Sequence, residues 1–272
     1  MTKFTNNVIS EELLILAKTY PNPSMNYCET SCVAAINEQG ELRRLYPIPF
    51  RHLEKDKQFK KWQWIHTKIE KSSDKRPESH NIDTLCLSTG ETVPTDGNWS
   101  QRLRLIDHQI YPSFRKLEEC RKEGICSMGF VRPSNVSFTL VKRNEPDWSE
   151  KELTYLQRQG LFDSNNQISR KLLKKVPYEF RYSFVDETEN GPETYDFMIT
   201  DWEISQFFWM CQNRYGNSWE EFFRKKMEIE LPSKDLILMM GTMHRFQDQW
   251  LIIGIVYPPK RKPGEAIQPY LL

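Results

Sequence analysis

Three segments of the 272-residue chain each hold two short apolar runs separated by turn-forming residues, the pattern of an antiparallel hairpin. They span residues 31–48, 127–142 and 178–200, with turns at Gly40, at Pro133-Ser134-Asn135 and in an acidic stretch. Hairpins at this spacing exclude a regular alternation of parallel strands and crossover helices. The sequence therefore predicts an α+β protein with antiparallel small barrels or sheets, OB-like in character, and interspersed helices.

Helical patterns separate these groups of strands. Apolar spacing and capping residues predict helices over 99–122, from 147 to about 159, and over 202–214. About nine short strands are expected in total. A boundary placed in 143–177 predicts two domains, a β-rich basic one over 1–145 and an α+β one over 146–272, although the same pattern also fits a single body.

Positive charge is concentrated in the first third of the chain. The formal net charge is only +1, so a polyanion would have to bind a local patch. Between Arg43 and Arg76 there are eleven Lys or Arg and four acidic residues, interrupted by Trp62 and Trp64. Cations with aromatic rings on a β-rich frame favour nucleic acid, DNA or RNA. The residues predicted to bind it are Arg43, Arg44, Arg51, Lys60, Lys61, Trp62, Trp64, Lys68 and Arg76. The alternative is that the two tryptophans are core anchors and the lysines only solvate an outer face.

Three short motifs near the N-terminus carry a family resemblance. The runs ILAKT at 15–19, CVAAIN at 32–37 and GELRRLYP at 40–47 resemble the opening of dual OB-fold proteins from bacterial conflict systems. The resemblance covers about thirty residues. Two departures are that Ala35 replaces the usual glycine and that a long insertion follows the first motif.

The resemblance implies two small β-barrels that bind nucleic acid and accompany effectors in antiviral or plasmid defence. Residue by residue it adds Lys18 to the predicted binding residues and supports Arg43 and Arg44, and it implies nothing about catalysis. The resulting hypothesis is a non-catalytic recognition or adaptor subunit.

An acidic region over 186–203 predicts a second kind of contact. Its carboxylates are Asp186, Glu187, Glu189, Glu193, Asp196, Asp201 and Glu203. Together with the aromatic helix at 202–214 they are an expected docking site for a protein partner, which makes a protein–protein adaptor the alternative function. A solvated hairpin followed by a helix cap at Asp201 explains the same residues without a partner.

An enzyme is the third hypothesis. Glu78 and Asp83, near His80 and several cations, are the best candidates for a metal-dependent nuclease. The spacing does not give the acid followed closely by a Glu-x-Lys pair that a metal nuclease would need, and phosphate-binding, nucleophile-elbow and zinc-protease motifs are missing from the sequence. We therefore predict no catalytic residue, no metal and no cofactor.

The cysteines and the hydropathy pattern indicate the cellular compartment. Six cysteines are scattered through the chain without zinc-knuckle spacing, which is typical of reduced thiols. No apolar run approaches the ~20 residues that span a bilayer, and the N-terminus lacks the pattern of a signal peptide. These features predict a cytoplasmic protein without a membrane contact.

Overall fold

Two sheets account for all thirteen strands found in residues 8–158, 171–188 and 191–260, the residues that the computed structural model describes. The first sheet holds β1 (Val8–Lys18), β2 (Asn22–Ser24), β3 (Cys28–Asn37), β4 (Leu42–Ile48), β5 (Gln63–Lys71) and β6 (Ser79–Thr92). The second holds β7 (Ile110–Tyr111), β8 (Met128–Val131), β9 (Ser134–Lys142), β10 (Tyr178–Thr188), β11 (Gly191–Ile199), β12 (Ile237–Thr242) and β13 (Trp250–Val256).

Five α-helices lie between these strands in the described part of the chain. They are α1 (Asp96–Ile106), α2 (Phe114–Lys122), α3 (Glu150–Gln157), α4 (Trp202–Tyr215) and α5 (Trp219–Arg224), which continues into a π-helical turn (Lys225–Glu230). No helix in the described ranges is both long and apolar enough to cross a bilayer.

The first sheet closes into a five-stranded ring because β1 is long enough to pair on both sides. Its first part, from Val8 to Leu14, pairs with β5, and its second part, from Leu13 to Lys18, pairs with β3. The remaining pairs are β3–β4, a parallel β4–β6 pair, and β5–β6. Numbered along the chain, the five ring strands follow the order 1-2-3-5-4-1, which is that of an OB barrel.

The second sheet repeats this order through a bent strand. Pro133 has no backbone N–H and interrupts the ladder, so that β8 pairs with β12 whereas β9 pairs with β10. If β8 and β9 are counted as one strand, the ring runs through β10, β11, β13 and β12 back to β8. The β11–β13 pair is parallel, as is the corresponding pair in the first ring. The predicted α+β class with small OB-like barrels is therefore confirmed.

One of the three expected hairpins does not form. The segments at 31–48 and 178–200 fold as hairpins. In the segment at 127–142, however, the two halves pair with other strands because the proline bends the chain instead of reversing it. These strands, which the sequence assigns to the N-terminal domain, belong to the second sheet. The sheets divide between Thr92 and Ile110, ahead of the boundary expected in 143–177.

An apolar cluster shared by the two barrels holds them together. Leu14 and Ala17 of β1 contribute to it from the first barrel, and Met128 and Ile253 contribute from the second. At Gly254 of β13 an added Cβ atom would lie 2.7 Å from the Cβ of Ala17, so the strands β1 and β13 approach each other closely. Two further clusters fill the interiors of the individual barrels.

Candidate nucleic-acid interface

A cavity of about 670 Å³ lies where the two barrels meet. From the first barrel it is lined by the β3–β4 face and by the β1–β3 and β5–β6 connections, for example through Cys32, Tyr46 and Arg76. From the second it is lined by the chain after β9 and by the β12–β13 connection, for example through Trp148 and Arg245. In OB barrels the corresponding strand face and loops bind oligonucleotides.

Basic side chains outnumber acidic ones among the described residues that line this cavity. In the part of the chain that the structure describes, one lining carboxylate, that of Glu152, accompanies a larger basic set: Arg44, Arg76, Arg143, Lys175, His244 and Arg245. Several members have partners. Arg143 Nη1 lies 2.8 Å from Glu179 Oε1, and Lys175 Nζ donates to the carbonyl of Asp147 at 3.0 Å. Glu152 belongs to the capping box of α3 with Ser149.

Arg44 is a buried cation at this cavity. It follows from strand alternation that Arg44 points out of the first barrel, because the next residue, Leu45, belongs to that barrel's core. Arg44 is 3% exposed, and its Nη2 donates to the carbonyl and hydroxyl oxygens of Ser127, at 3.0 and 3.1 Å. Its Nη1 lies 3.9 Å from Cys32 Sγ, and its Nε has no partner among the described residues. Burial lowers the pKa of the Arg44 guanidinium, and the positive charge of Arg76 acts in the same direction.

Arg76 links the first barrel to the second. Its Nε and Nη2 bind the carboxylate of Asp74, with Nη2 2.5 Å from Oδ2, and its Nη1 donates to the carbonyl of Thr242 on β12 at 2.6 Å. Although burial opposes it, hydrogen bonding to Arg76 lowers the pKa of Asp74. The guanidinium is thus fixed in orientation at the cavity wall.

Glu78 forms the second link between the barrels. Its carboxylate accepts from the Ser127 amide at 2.6 Å and from the Ser127 hydroxyl at 2.5 Å. Asp83, the other residue of the nuclease hypothesis, accepts from the Leu85 amide and lies 3.0 Å from Cys86 Sγ. Both carboxylates thus have protein donors, and no cluster of three potential metal ligands occurs in the described ranges.

Only Arg44 and Arg76 of the ten predicted binding residues line the inter-barrel cavity. Arg43 instead pairs with Glu11, with Nη2 to Oε1 at 2.8 Å, and Arg51 Nη1 lies 2.9 Å from Glu29 Oε2.

The predicted lysines lie elsewhere as well. Lys68 is exposed on β5, and three others surround a separate cavity of about 340 Å³: Lys18, Lys60 and Lys61. The ammonium of Lys18 lies 3.2 Å from the centre of the Phe50 ring, and burial lowers its pKa to about 7 against the opposing charges of Glu203 and Asp201. Lys61 Nζ lies 3.8 Å from Asp201 Oδ2.

The two predicted tryptophans contribute to packing. Trp62 is 3% exposed, with the Arg102 guanidinium 5.2 Å from its ring centre. Trp64 packs against the shared cluster. The described aromatic residues at the cavity include Tyr46, which is 49% exposed, and Trp148, both outside the predicted set. Tyr46 could have been found from its position two residues after Arg44 on the same strand face.

The acidic region is largely paired within the chain. Arg115 binds Asp186 through its amide and lies 3.7 Å from Glu193 through its side chain. Asp196 pairs with Arg181, and Asp201 is buried as the N-cap of α4. Glu189 lies outside the described residues.

Two family models divide the chain where the sheets divide. Residues 9–108 match the model described as Domain of unknown function (DUF8758). Residues 111–270, more than half of the chain, match Domain of unknown function (DUF8757). The chain belongs to the DUF8757 family. The DUF8757 region begins at the second sheet, so the family boundary and the sheet boundary agree.

Comparison with characterised proteins adds little to the DUF8757 assignment. No curated protein matches the chain. One similar solved structure is described as "Structure and Conformational Change of a Replication Protein A Heterotrimer Bound to ssDNA". It is 6% identical with a TM-score of 0.25, and the match covers 94% of this chain and 66% of that one. The OB-like character of the two barrels follows from their strand order.

Proposed function

We propose that the protein binds single-stranded nucleic acid, DNA or RNA, across the junction of its two barrels. The observation that supports this most directly is that the ligand-side loops of two OB-ordered barrels converge on one cation-rich cavity. In this proposal the protein is a non-catalytic recognition or adaptor subunit of a bacterial defence system, a role that rests on the N-terminal resemblance.

The chemistry of the cavity suits a single strand. Phosphates would lie along Arg143, Lys175 and Arg245, and bases would stack on Tyr46 or Trp148. Stacking of a base on an aromatic side chain contributes about 1–3 kcal/mol. Each phosphate neutralised releases counterions, so affinity falls as the salt concentration rises. A duplex cannot offer its base faces to these rings.

The proposal is tested with fluorescently labelled 20-nucleotide DNA and RNA, single- and double-stranded, at two salt concentrations and with or without Mg²⁺. We expect tighter binding of the single strands, a steep loss of affinity with salt, and no cleavage. No binding of any of the four probes would contradict the proposal. Cleavage that depends on Mg²⁺ would support the nuclease hypothesis instead.

A matched pair of variants locates the interface. Lys175→Glu with Arg245→Glu reverses two charges at the cavity, and Lys60→Glu with Lys68→Glu reverses two charges outside it. The first variant should weaken binding by about tenfold or more, whereas the second should change affinity by less than about threefold, since only the first removes phosphate contacts. The opposite ranking would place the interface on the basic stretch at 43–76.

A protein partner is the second proposal. Apolar side chains on α4, which begins at the end of the acidic region, and on α5 remain accessible, with Met210 39% and Phe222 40% exposed. We expect a partner cross-linked to the tagged protein in its native host to be lost in the Met210→Asp, Phe222→Asp variant. Retention of the same partner would show that this surface is not the docking site.

A further inference from the structure

We infer that the inter-barrel cavity receives a phosphate monoester, such as the terminal phosphate of a nucleic acid strand, against the guanidinium of Arg44. This inference rests on the proposed function and specifies the part of the ligand that enters deepest.

The first observation is a buried positive charge without a contacting carboxylate. Arg44 is 3% exposed, and its hydrogen-bond acceptors in the described residues are the Ser127 oxygens and Cys32 Sγ, all uncharged in their usual states. Glu78 is near, but its oxygens accept from the amides of Ser127 and Met128 and from the Ser127 hydroxyl. A buried cation is stabilised by an oxyanion in direct contact, and the described residues present none to Arg44.

The second observation is a pair of unsatisfied polar atoms on residues that line the same cavity. Arg44 Nε in the first barrel and Thr242 Oγ1 in the second are buried and have no hydrogen-bond partner among the described residues. Thr242 is 3% exposed, and its own carbonyl is taken by Arg76 Nη1. Buried polar groups are normally paired. A ligand with several acceptor oxygens would provide hydrogen-bond partners for both unsatisfied atoms, one from each barrel.

The charge and shape of a monoester fit this position better than those of an internal diester. A monoester phosphate carries about −1.5 to −2 at pH 7 and three terminal oxygens, whereas an internal phosphodiester carries one negative charge and continues as chain on both sides. Arg44, whose Nε has no partner among the described residues, provides a planar guanidinium of the kind that binds phosphate bidentately, whereas Arg76, held by Asp74 and the Thr242 carbonyl, adds positive charge beside it. The cavity volume of about 670 Å³ also leaves room for the attached sugar and base.

The test compares one 12-nucleotide sequence with a 5′-phosphate, with a 3′-phosphate and with hydroxyl groups at both ends, by fluorescence anisotropy on the full chain. We expect one phosphorylated strand to bind about tenfold more tightly than the hydroxyl strand. That preference should disappear in Arg44→Met, shrink in Thr242→Val, and be partly restored in Arg44→Lys. The Lys175→Glu, Arg245→Glu variant should bind all three strands more weakly, while the ratio of their affinities is retained.

The possible outcomes separate this inference from the function it rests on. Equal affinity for the three strands would overturn the inference and leave nucleic-acid binding intact, whereas no binding of any strand would overturn both. If 5′-AMP competes for the site with an affinity equal to that of the phosphorylated strand, the result would support phosphate recognition and identify a free nucleotide as the ligand. If circular dichroism shows that Arg44→Met does not fold, the inference is still tested by the affinities of the wild-type protein for the three strands and by the Thr242→Val variant.

Discussion

Lys18, predicted to contact phosphate, is instead a half-buried amine packed against aromatic rings. Burial lowers its pKa to about 7, whereas a lysine in the unfolded chain titrates near 10.4. Between these values the unfolded state binds more protons at Lys18 than the native state does, so the contribution of Lys18 to the free energy of unfolding rises with pH from about 7 to about 10. Below pH 7 both states carry the proton, and the destabilising effect of the buried charge is complete.

Replacing Lys18 by methionine should therefore flatten this pH dependence and raise stability most at pH 6.5. The measurement is urea unfolding at pH 6.5 and 9.5, followed by tryptophan fluorescence. Lys60→Met is the matched control, because Lys60 is an exposed neighbour at the same cavity, and it should retain the wild-type slope. An unchanged slope in the Lys18 variant would show that its ammonium is not desolvated.

At the scale of elements, Asp201 joins a helix to both barrels. Its Oδ1 caps α4 by accepting from the Glu203 amide at 2.6 Å, and its Oδ2 accepts from the Ile255 amide of β13 at 3.1 Å. Lys61 of the first barrel lies 3.8 Å from the same oxygen and donates to the Ile255 carbonyl. One buried carboxylate thus accepts hydrogen bonds from α4 and β13 and pairs with a cation of the first barrel.

Asp201→Ala should destabilise the protein by about 2–4 kcal/mol, because it removes a cap and leaves the buried Ile255 amide without an acceptor. Ser113→Ala is the comparison, since Ser113 caps α2 by accepting only from the Lys116 amide and should cost about 1 kcal/mol. Guanidinium unfolding measures both changes. Equal losses would mean that Asp201 acts only as a helix cap.

For the whole molecule, the shared apolar cluster predicts a single cooperative unfolding transition. Gly254→Ala tests this because its new Cβ would meet the Ala17 Cβ at 2.7 Å, a contact between strands of different barrels. We expect a loss of about 1–3 kcal/mol from overpacking, with far-ultraviolet circular dichroism and tryptophan fluorescence still changing together. Gly90→Ala, whose added Cβ meets its nearest atom at 3.4 Å, should be close to neutral. Two separate transitions would show that the barrels unfold independently.

Local patterns in the sequence predicted the fold class but only part of the candidate site. The hairpins at 31–48 and 178–200 follow from alternation and turn residues, which are local properties. The bend at Pro133 was misread because a proline between two apolar runs fits a turn as well as a kink. The density of positive charge in the sequence was enough to predict Arg44 and Arg76. Strand pairing between distant parts of the chain brings three further residues to the cavity, and no local pattern encodes it: Trp148, Thr242 and Arg245.

The ties across the barrel junction restrict how such a chain can evolve. Leu14, Ala17, Met128 and Ile253 meet in one cluster, while Glu78 of one half binds Ser127 of the other. If either half were moved into another protein, its side of the apolar cluster would be exposed to solvent, and the contact between the Glu78 carboxylate and its Ser127 donors would be lost. Recombination that shuffles one half without its mate should accordingly be selected against, so the regions matching the two family models are expected to be inherited as a unit.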